Sequence, residues 1–390
     1  MRKQNLAQLA YSQAKTLMFC EAQGYVTLLL FRGTNERCQS DIYLVELEPG
    51  HEQVMKFNYT KEKLPNRSRL QIVGCCNGLL CLYDLDSTKS LYVVNPMTGD
   101  YVHSPPKLKM ERRHVTKVGA VQGFGFGPVT NQYKVIRVIK KKVSHPNEHY
   151  ESLGEIFTPG TNRWRRIGKP PFPANKEFYG VPLNGAIHWI ANDEIPNSKL
   201  ICAFDIDSEK LRPISLPPDF DKNPEGMMLG ILGSFFYICN IYSDLNLDIW
   251  VMKIYGVEES WTKQVVIARN SLEPDFREIR PMMILKDGNV LILRDDKNLE
   301  LYDPRLKKFS KIEIKGVSSI WDAVTYVASY GSLRDIVKRE CVRDLYVKSK
   351  WILLQSSMVV SALLGSKDLG IYVFRTLICI VGKPWSKHCV

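Results

Sequence analysis

The stretch Leu91-Tyr-Val-Val-Asn-Pro-Met-Thr-Gly99 has the pattern of a strand that runs into a turn. Its first four residues are aromatic or aliphatic and suit a pleated, buried surface, whereas the Asn-Pro and Gly positions favour a turn. A similar strand and turn recur along the chain, and the equivalent positions are Leu44, Val94, Phe157, Phe204, Ile254 and Tyr302. Their spacings of 50, 63, 47, 50 and 48 residues indicate an internal repeat of about fifty residues.

Each of these positions is preceded by a second run of β-branched and aromatic residues, such as Leu79-Leu-Cys-Leu-Tyr83. Asn77-Gly78, Asn184-Gly185 and Asp287-Gly288 bound such runs and tolerate the positive φ of tight hairpin turns. A unit of about fifty residues with roughly four antiparallel strands is typical of kelch-type propellers. We therefore predict an all-β fold, a single β-propeller-like (kelch-like) domain of about six blades. A string of β-sandwiches is the alternative, because those domains also have evenly spaced short strands.

The composition is that of a globular protein with a basic charge balance. The 390 residues are 45% hydrophobic and 24% charged, which excludes a mainly disordered, collagen-like or coiled-coil chain. The net charge of +12 is compatible with nucleic acid, anionic lipid or an acidic protein as partner. Charge alone does not choose among these three classes.

The cysteines and the apolar stretches indicate a reduced, aqueous compartment. The ten cysteines are scattered and the N-terminus has no signal-peptide pattern, so we expect reduced thiols and a cytoplasmic or nuclear protein. No Cys-x-x-Cys pair occurs, and we expect neither a metal nor another cofactor. The apolar stretches 351–364 and 369–382 are shorter than the roughly 20 residues of a bilayer span, so no membrane association is expected.

Three features could suggest catalysis, and each has a structural interpretation. Gly123-Phe-Gly-Phe-Gly127 is followed by Pro128 and a strand, whereas a phosphate-binding loop requires a following helix. Asp84, Asp86, Asp205 and Asp207 flank turns, and His188 lies in an apolar strand without a nearby nucleophile. We therefore predict a non-catalytic interaction module. A propeller enzyme whose catalytic groups converge from distant blades is the remaining option in that class.

Basic clusters are the candidates for partner binding. A tryptophan among arginines can stack on bases or contact acidic protein, although cations that cover apolar strand surface in water are the ordinary interpretation. No reader motif accompanies the charge, so specific nucleic-acid binding is not expected. The candidate residues are Arg112, Arg113, Lys140, Lys141, Lys142, Arg163, Trp164, Arg165 and Arg166.

The remaining segments complete the expected domain organisation. Residues 3–18 space apolar side chains at helical intervals and predict a short N-terminal helix. The polar stretches 107–117 and 140–150 are expected to be loops. The predicted boundaries are 1–24 for a linker helix, 25–330 for the propeller-like domain, and 331–390 for a tail whose last forty residues are a divergent extension.

Several short segments of the sequence, and the order in which they occur, resemble the F-box-associated domain of plant F-box proteins over residues 25–330. They are Ile72-Val-Gly-Cys-Cys-Asn-Gly-Leu-Leu-Cys81, Leu91–Gly99, Gly123–Gly127 with Tyr133-Lys-Val-Ile-Arg137, Gly180-Val-Pro-Leu-Asn-Gly-Ala-Ile-His-Trp189 and Ile201-Cys-Ala-Phe-Asp205. The resemblance implies the substrate-recognition part of an SCF-type ubiquitin ligase, which binds target proteins while associated subunits transfer ubiquitin. In that family an N-terminal F-box docks the adaptor of the ligase.

The N-terminus departs from that family pattern. An F-box is about 45 residues long, and only about twenty precede the first predicted strand, so we expect that the F-box is missing or truncated. Adaptor and cullin subunits are then partners only if an F-box is present, and the chain would be an incomplete receptor that holds targets without delivering them. The alternative function is a basic propeller that binds nucleic acid or another acidic partner independently of ubiquitination.

Overall fold

The computed structural model describes the chain from Val26 to Asp344 with gaps. All described residues belong to one compact unit, which spans residues 1–345. The predicted N-terminal helix at 3–18 and the predicted extension at 351–390 lie outside the described residues, as do Asp86, Arg112 and Arg113. The described residues are 26–33, 40–48, 51–57, 70–84, 91–105, 115–143, 149–161, 163–167, 179–190, 201–218, 220, 226–240, 246–268, 278–285, 287–295, 298–314, 320, 322–329, 331–337 and 343–344.

The described strands form six blades of four antiparallel strands each. Blades 3 and 4 are joined into one eight-stranded sheet by parallel pairing of their inner strands, and blade 2 carries an additional edge strand. The strands of blade 1 are β1 (Val26–Gly33), β2 (Ser40–Glu48), β3 (His51–Phe57) and β24 (Asp322–Thr325). The strands of blade 2 are β4 (Leu70–Cys76), β5 (Leu79–Asp84), β6 (Leu91–Val94), β7 (Asp100–His103) and the edge strand β25 (Arg343–Asp344). The strands of blade 3 are β8 (Val115–Gly127), β9 (Gln132–Val143), β10 (His149–Phe157) and β11 (Trp164–Arg166).

The second half of the chain forms the other three blades. The strands of blade 4 are β12 (Tyr179–Leu183), β13 (Ala186–Ile190), β14 (Ile201–Asp205) and β15 (Leu211–Ile214). The strands of blade 5 are β16 (Met227–Leu232), β17 (Phe235–Asn240), β18 (Asn246–Met252) and β19 (Trp261–Ala268). The strands of blade 6 are β20 (Ile279–Ile284), β21 (Val290–Arg294), β22 (Asn298–Asp303) and β23 (Lys308–Lys311).

The predicted repeat is confirmed, because its landmark segments supply the third strand of every blade: β2, β6, β10, β14, β18 and β22. One landmark residue was misplaced. Ile254 lies beyond β18, which ends at Met252, and its side chain is 63% exposed in the following turn. The prediction of a β-propeller-like fold of about six blades is confirmed.

The ring closes by pairing the two ends of the domain. Strand β24 pairs antiparallel with β1, with Leu28 opposite Thr325 and Phe31 opposite Asp322. Strand β24, from the C-terminal end of the domain, is therefore the innermost strand of blade 1, and β1 is its one neighbour in that sheet. The inner strands β4, β8, β12, β16, β20 and β24 contact one another in this order around the ring. Closure removes the unpaired sheet edges that a linear array of blades would expose.

The core consists of apolar clusters, most of which lie between neighbouring blades. Val73, Phe124 and Val135 join blades 2 and 3, and similar clusters follow around the ring as far as blades 6 and 1. Between blades 1 and 2, the Tyr326 hydroxyl donates to the Gly78 carbonyl at 3.1 Å. Because each blade buries a face against the next, the core depends on the complete ring.

The Gly123–Gly127 segment is the end of the inner strand β8, as its structural interpretation predicted. A Cβ on Gly123 would lie 2.6 Å from the Trp189 ring and 2.7 Å from Ile187 of blade 4. These glycines therefore permit close approach of two blades. The polar stretch 140–150 was wrongly predicted as one loop, because β9 continues to Val143 and β10 begins at His149. Likewise, β8 already begins at Val115, inside the predicted loop 107–117.

Candidate functional site

One face of the ring displays the short turns of blades 2 to 6. Because successive strands run in opposite directions, the turn from the inner to the second strand and the turn from the third to the outer strand lie at the same end of a blade. The inner strands β8 and β12 pair in parallel, which orients blades 3 and 4 alike. We call this side of the ring the turn face, and it is the candidate functional site.

In blades 2 and 4 the turn between the inner and the second strand has the predicted pair of residues with positive φ, whereas at Asp287-Gly288 only the glycine has positive φ. Asn77 and Gly78 have φ values of 49° and 75°, and Asn184 and Gly185 have values of 48° and 73°. Two successive residues with positive φ give a turn whose twist matches that of the flanking strands. These turns are therefore tight.

The turns between third and outer strands share a local structure in blades 2, 4 and 6. In each, an Asn or Asp side chain at the strand end accepts backbone N–H bonds: Asn95 from Met97, Asp205 from Ser208, and Asp303 from Arg305 and Leu306. Four residues after that side chain comes a residue with positive φ: Gly99, Glu209 and Lys307. These side chains stabilise the turns, as expected for Asx turns.

An ion-pair network joins the turn face between blades 3 and 4. Lys134 Nζ, nearly buried, donates to Glu209 Oε1 at 2.8 Å and to the Ile206 carbonyl at 2.7 Å, and Arg165 also pairs with Glu209. Burial alone would raise the pKa of Glu209, but the hydrogen bonds and charges of Arg165 and Lys134 hold it below its usual value. The predicted turn residue Asp207 accepts from the backbone N–H groups of Val129 and Thr130 at 3.0 and 2.8 Å. These contacts fix blade 3 to blade 4.

A buried histidine joins blades 4 and 5. His188 Nδ1 lies 2.8 Å from the Val181 carbonyl and Nε2 lies 2.6 Å from the Tyr255 hydroxyl. A carbonyl only accepts, so Nδ1 carries the proton and Nε2 accepts from Tyr255, whose oxygen accepts from Arg212 at 2.6 Å. Burial lowers the pKa of His188 to about 4. The network holds a neutral imidazole in place, which agrees with the prediction of a structural histidine.

This histidine makes stability depend on pH. Its pKa in the folded chain is lower than in the unfolded chain, so its stabilising contribution is complete above about pH 6.5 and decreases as the pH falls toward 4. Between pH 7 and pH 5 the loss is expected to be about 2 kcal/mol. Urea unfolding of the wild type and of His188→Gln at both pH values measures it. Equal pH dependence in the two proteins would exclude His188 as the cause.

The described residues of the predicted basic clusters lie at two places on blade 3. Arg163, Arg165 and Arg166 are exposed on blade 3 next to the turn face, and Arg165 is neutralised by Glu209. Trp164 packs inward, 5.4 Å from the Phe157 ring, with the Arg137 guanidinium 3.7 Å from its centre. Lys140–Lys142 lie on β9 toward the other end of the same blade. Trp164 is therefore part of the packing of blade 3.

The turn face also exposes apolar side chains that are not among the predicted partner-binding residues. Val129, Ile254 and Leu306 are 72%, 63% and 68% exposed, and all three lie in its turns. Phe235 and Val257 also lie at this face, so it carries five of the seven large hydrophobic side chains that are exposed among the described residues. In the sequence, only their position between two predicted strands indicated that these residues lie in turns. Burial of such apolar side chains by a partner is favourable, and arginine is enriched in protein interfaces.

The described part of the chain brings no three histidine, cysteine or acidic side chains together in a group that could hold a metal ion. None of its helices has the length and apolar character required to cross a membrane. Its cysteines, Cys75, Cys76, Cys81, Cys202 and Cys239, are free thiols.

Comparison with known proteins agrees with the architecture. F-box protein At3g07870 of Arabidopsis thaliana is 26% identical over 328 residues, which cover 75% of this chain and 77% of that protein. F-box protein CPR1 of the same plant is 27% identical and covers 66% of this chain and 67% of that protein. The F-box/kelch-repeat protein At3g23880, also from this plant, is 27% identical and covers 70% and 72%.

The similarity of this chain to a solved structure is weaker than its similarity to these relatives. TolB from Acinetobacter baumannii aligns over 79% of this chain and 68% of its own at 9% identity, with a TM-score of 0.45, which is too low to bear on function. The model of the F-box associated β-propeller domain matches residues 22–336. The resemblance to plant F-box proteins is thereby confirmed, and this chain belongs to the F-box associated β-propeller domain family.

Proposed function

We propose that this chain is the substrate-recognition protein of an SCF-type ubiquitin ligase and that its propeller binds the target protein. The observation that carries the proposal is the match of residues 22–336 to the F-box associated propeller family. Relatives named F-box proteins support the same role. Ubiquitin transfer would be carried out by associated subunits, and this chain would supply only binding.

The turn face supports a binding role in physical terms. Contacts between blades, such as those of Asp207 and Glu209, fix neighbouring turns relative to one another before a partner arrives. A preorganised surface loses less conformational entropy on binding than a flexible one. Burial of its exposed apolar side chains against a partner would stabilise a complex, and arginine is enriched among the residues that dominate binding energy.

The groups first considered for catalysis have structural partners instead. Asp205 and Asp207 accept hydrogen bonds in turns, and His188 is held between Val181 and Tyr255. An active site needs a nucleophile or base with a free position for substrate. We therefore propose a non-catalytic interaction module.

The test is the lifetime of a captured target. The intact chain is used as bait in plant cells, and the half-life of each captured protein is measured with and without expression of the bait. A complete receptor shortens the half-life of its target and recovers adaptor and cullin subunits. A receptor that only holds its target lengthens the half-life and recovers no ligase subunits.

Two results would contradict the proposal. One is a captured set whose half-lives do not respond to the chain at all. The other is recovery of nucleic acid whose affinity falls steeply with salt and survives removal of protein partners, because release of counterions from phosphates produces that dependence. The second result would favour the basic nucleic-acid-binding propeller.

A further inference from the structure

Blades 2, 4 and 6 have similar turns between the third and the outer strand, so the same turn position can be compared in three blades. Each begins with an Asx turn, and each places its fifth residue in the left-handed region: Gly99 at φ 72°, Glu209 at φ 56° and Lys307 at φ 53°. Glycine adopts this conformation without steric cost, whereas a side chain with a Cβ is strained there. Two of the three turns therefore retain a charged side chain at a position that suits glycine.

In blade 4 the fold itself explains the charged residue. The Glu209 carboxylate pairs with Lys134, which is nearly buried, and with Arg165, so the strained backbone is offset by contacts between blades 3 and 4. Lys307 in blade 6 is exposed, and no described residue pairs with it. A strained backbone without a compensating contact inside the fold makes Lys307 a candidate for a functional role.

The neighbours of Lys307 define a surface that we call the blade 6 tip, residues Arg305–Lys308. Arg305, Lys307 and Lys308 are exposed cations, and Leu306 between them is 68% exposed. The nearby carboxylate of Asp303 accepts the backbone N–H bonds of Arg305 and Leu306 at 2.8 and 3.1 Å. The tip is thus an exposed apolar side chain flanked by three cations, of which Arg305 also donates through Nη2 to the Asp287 carbonyl at 3.2 Å.

Blade 5 continues this combination on the turn face. Its corresponding turn exposes Ile254 beside Lys253, whose Nζ lies 4.6 Å from the centre of the Phe235 ring. Two exposed acids, Glu258 and Glu259, follow in the same turn and limit the positive surface on that side. The positive and apolar surface is therefore centred on blade 6.

We propose that the blade 6 tip binds an acidic segment of the target protein, with an apolar side chain of that segment packed against Leu306. This inference rests on the proposed function and names its site and the chemistry of its partner. The partner must supply carboxylates to Arg305, Lys307 and Lys308, because these are three exposed cations within four consecutive residues. Opposite charges steer association and fix the register, and the apolar contact in the centre supplies affinity.

A protein segment fits this surface better than nucleic acid does. Single-stranded nucleic acid is gripped by aromatic side chains on which bases stack. The tip exposes a leucine, and the adjacent Phe309 packs 4.9 Å from the Tyr302 ring. An exposed aliphatic side chain gains nothing from phosphate, whereas it gains from burial against an apolar side chain.

Peptide selection against the intact chain tests the proposal. Random peptides of about 12 residues displayed on phage should yield sequences with net negative charge and a leucine, isoleucine or phenylalanine. For one selected peptide, measured by fluorescence anisotropy, Leu306→Asp is expected to weaken binding at least about tenfold. Lys307→Gly is expected to weaken it about three- to tenfold while the Tm stays equal or rises, because glycine relieves the left-handed strain.

Glu209→Gly is the matched control, since it makes the same backbone change in blade 4. It should keep the peptide affinity and lower the Tm, because Lys134 and Arg165 lose the carboxylate with which they pair. Wild-type affinity in Leu306→Asp, or a lower Tm with unchanged affinity in Lys307→Gly, would overturn the proposal. So would a single-stranded DNA of about 12 nucleotides that displaces the peptide and binds Leu306→Asp as tightly as wild type.

The two proposals can fail separately. If a target captured from plant cells binds the Leu306→Asp chain as tightly as wild type, the proposed function stands and this surface is not its site. If no target with a changed half-life is captured, the proposed function fails whatever the peptides show.

Discussion

Glu155→Gln is expected to lower the free energy of unfolding by about 3 kcal/mol, because it leaves the charge of Arg137 without its partner inside blade 3. Arg137 Nε and Nη2 both lie 2.6 Å from Glu155 Oε2, and both side chains are largely buried. The Trp164 ring covers the guanidinium at 3.7 Å, so water cannot readily replace the carboxylate. Urea unfolding at pH 7 measures the change.

Two further variants test whether the loss of stability is due to a buried, unpaired charge. Asp248→Asn removes the charge from an exposed pair with Lys263 and should cost less than about 1 kcal/mol. Arg137→Met combined with Glu155→Leu removes both charges and should recover most of the stability that Glu155→Gln loses, since no unpaired charge remains. Equal costs for Glu155→Gln and Asp248→Asn would show that burial does not govern the pair.

Val324→Pro combined with Thr325→Pro is expected to lower the free energy of unfolding by at least about 3 kcal/mol. Adjacent amides of an antiparallel strand point to opposite sides, and β24 has β1 as its only neighbour in the described sheet. One of the two prolines must therefore remove a hydrogen bond that closes the ring. Loss of this pairing also exposes the cluster between blades 6 and 1, which includes Ala323.

Val324→Ala combined with Thr325→Ala is the control for the proline variant. It shortens the same two half-buried side chains but keeps both amides. The difference between the two double variants in urea unfolding isolates the contribution of strand pairing. If both lose the same stability, the side chains and not the closing hydrogen bonds hold β24.

Much of the fold was predictable because its signals are local. The third strand of each blade repeats a pattern of aliphatic residues followed by Asn, Asp or Gly, and the turns Asn77-Gly78 and Asn184-Gly185 carry their own backbone preference. The glycines of Gly123–Gly127 indicated close packing on a strand, and Ile187 and Trp189 are the side chains that need this space. Each of these features is encoded within a few residues.

The rest depends on contacts between distant parts of the chain. Strand β24 is only four residues long and pairs with β1, near the other end of the domain. No local sequence pattern therefore predicts this pairing. The partner of His188 is Tyr255, which is contributed by the next blade. Lys307 resembles any solvated turn residue until its φ and its lack of a described partner are compared with Gly99 and Glu209.

Closure of the ring through β1 and β24 is tested most directly by hydrogen exchange of residues 26–33, resolved by peptide mass spectrometry. A closed ring predicts slow exchange of these amides in the wild type and fast exchange in the Val324→Pro, Thr325→Pro variant, with β21 (Val290–Arg294) remaining protected at the same early times. Fast exchange of residues 26–33 in the wild type, or no difference between the two proteins, would contradict a ring closed by β24.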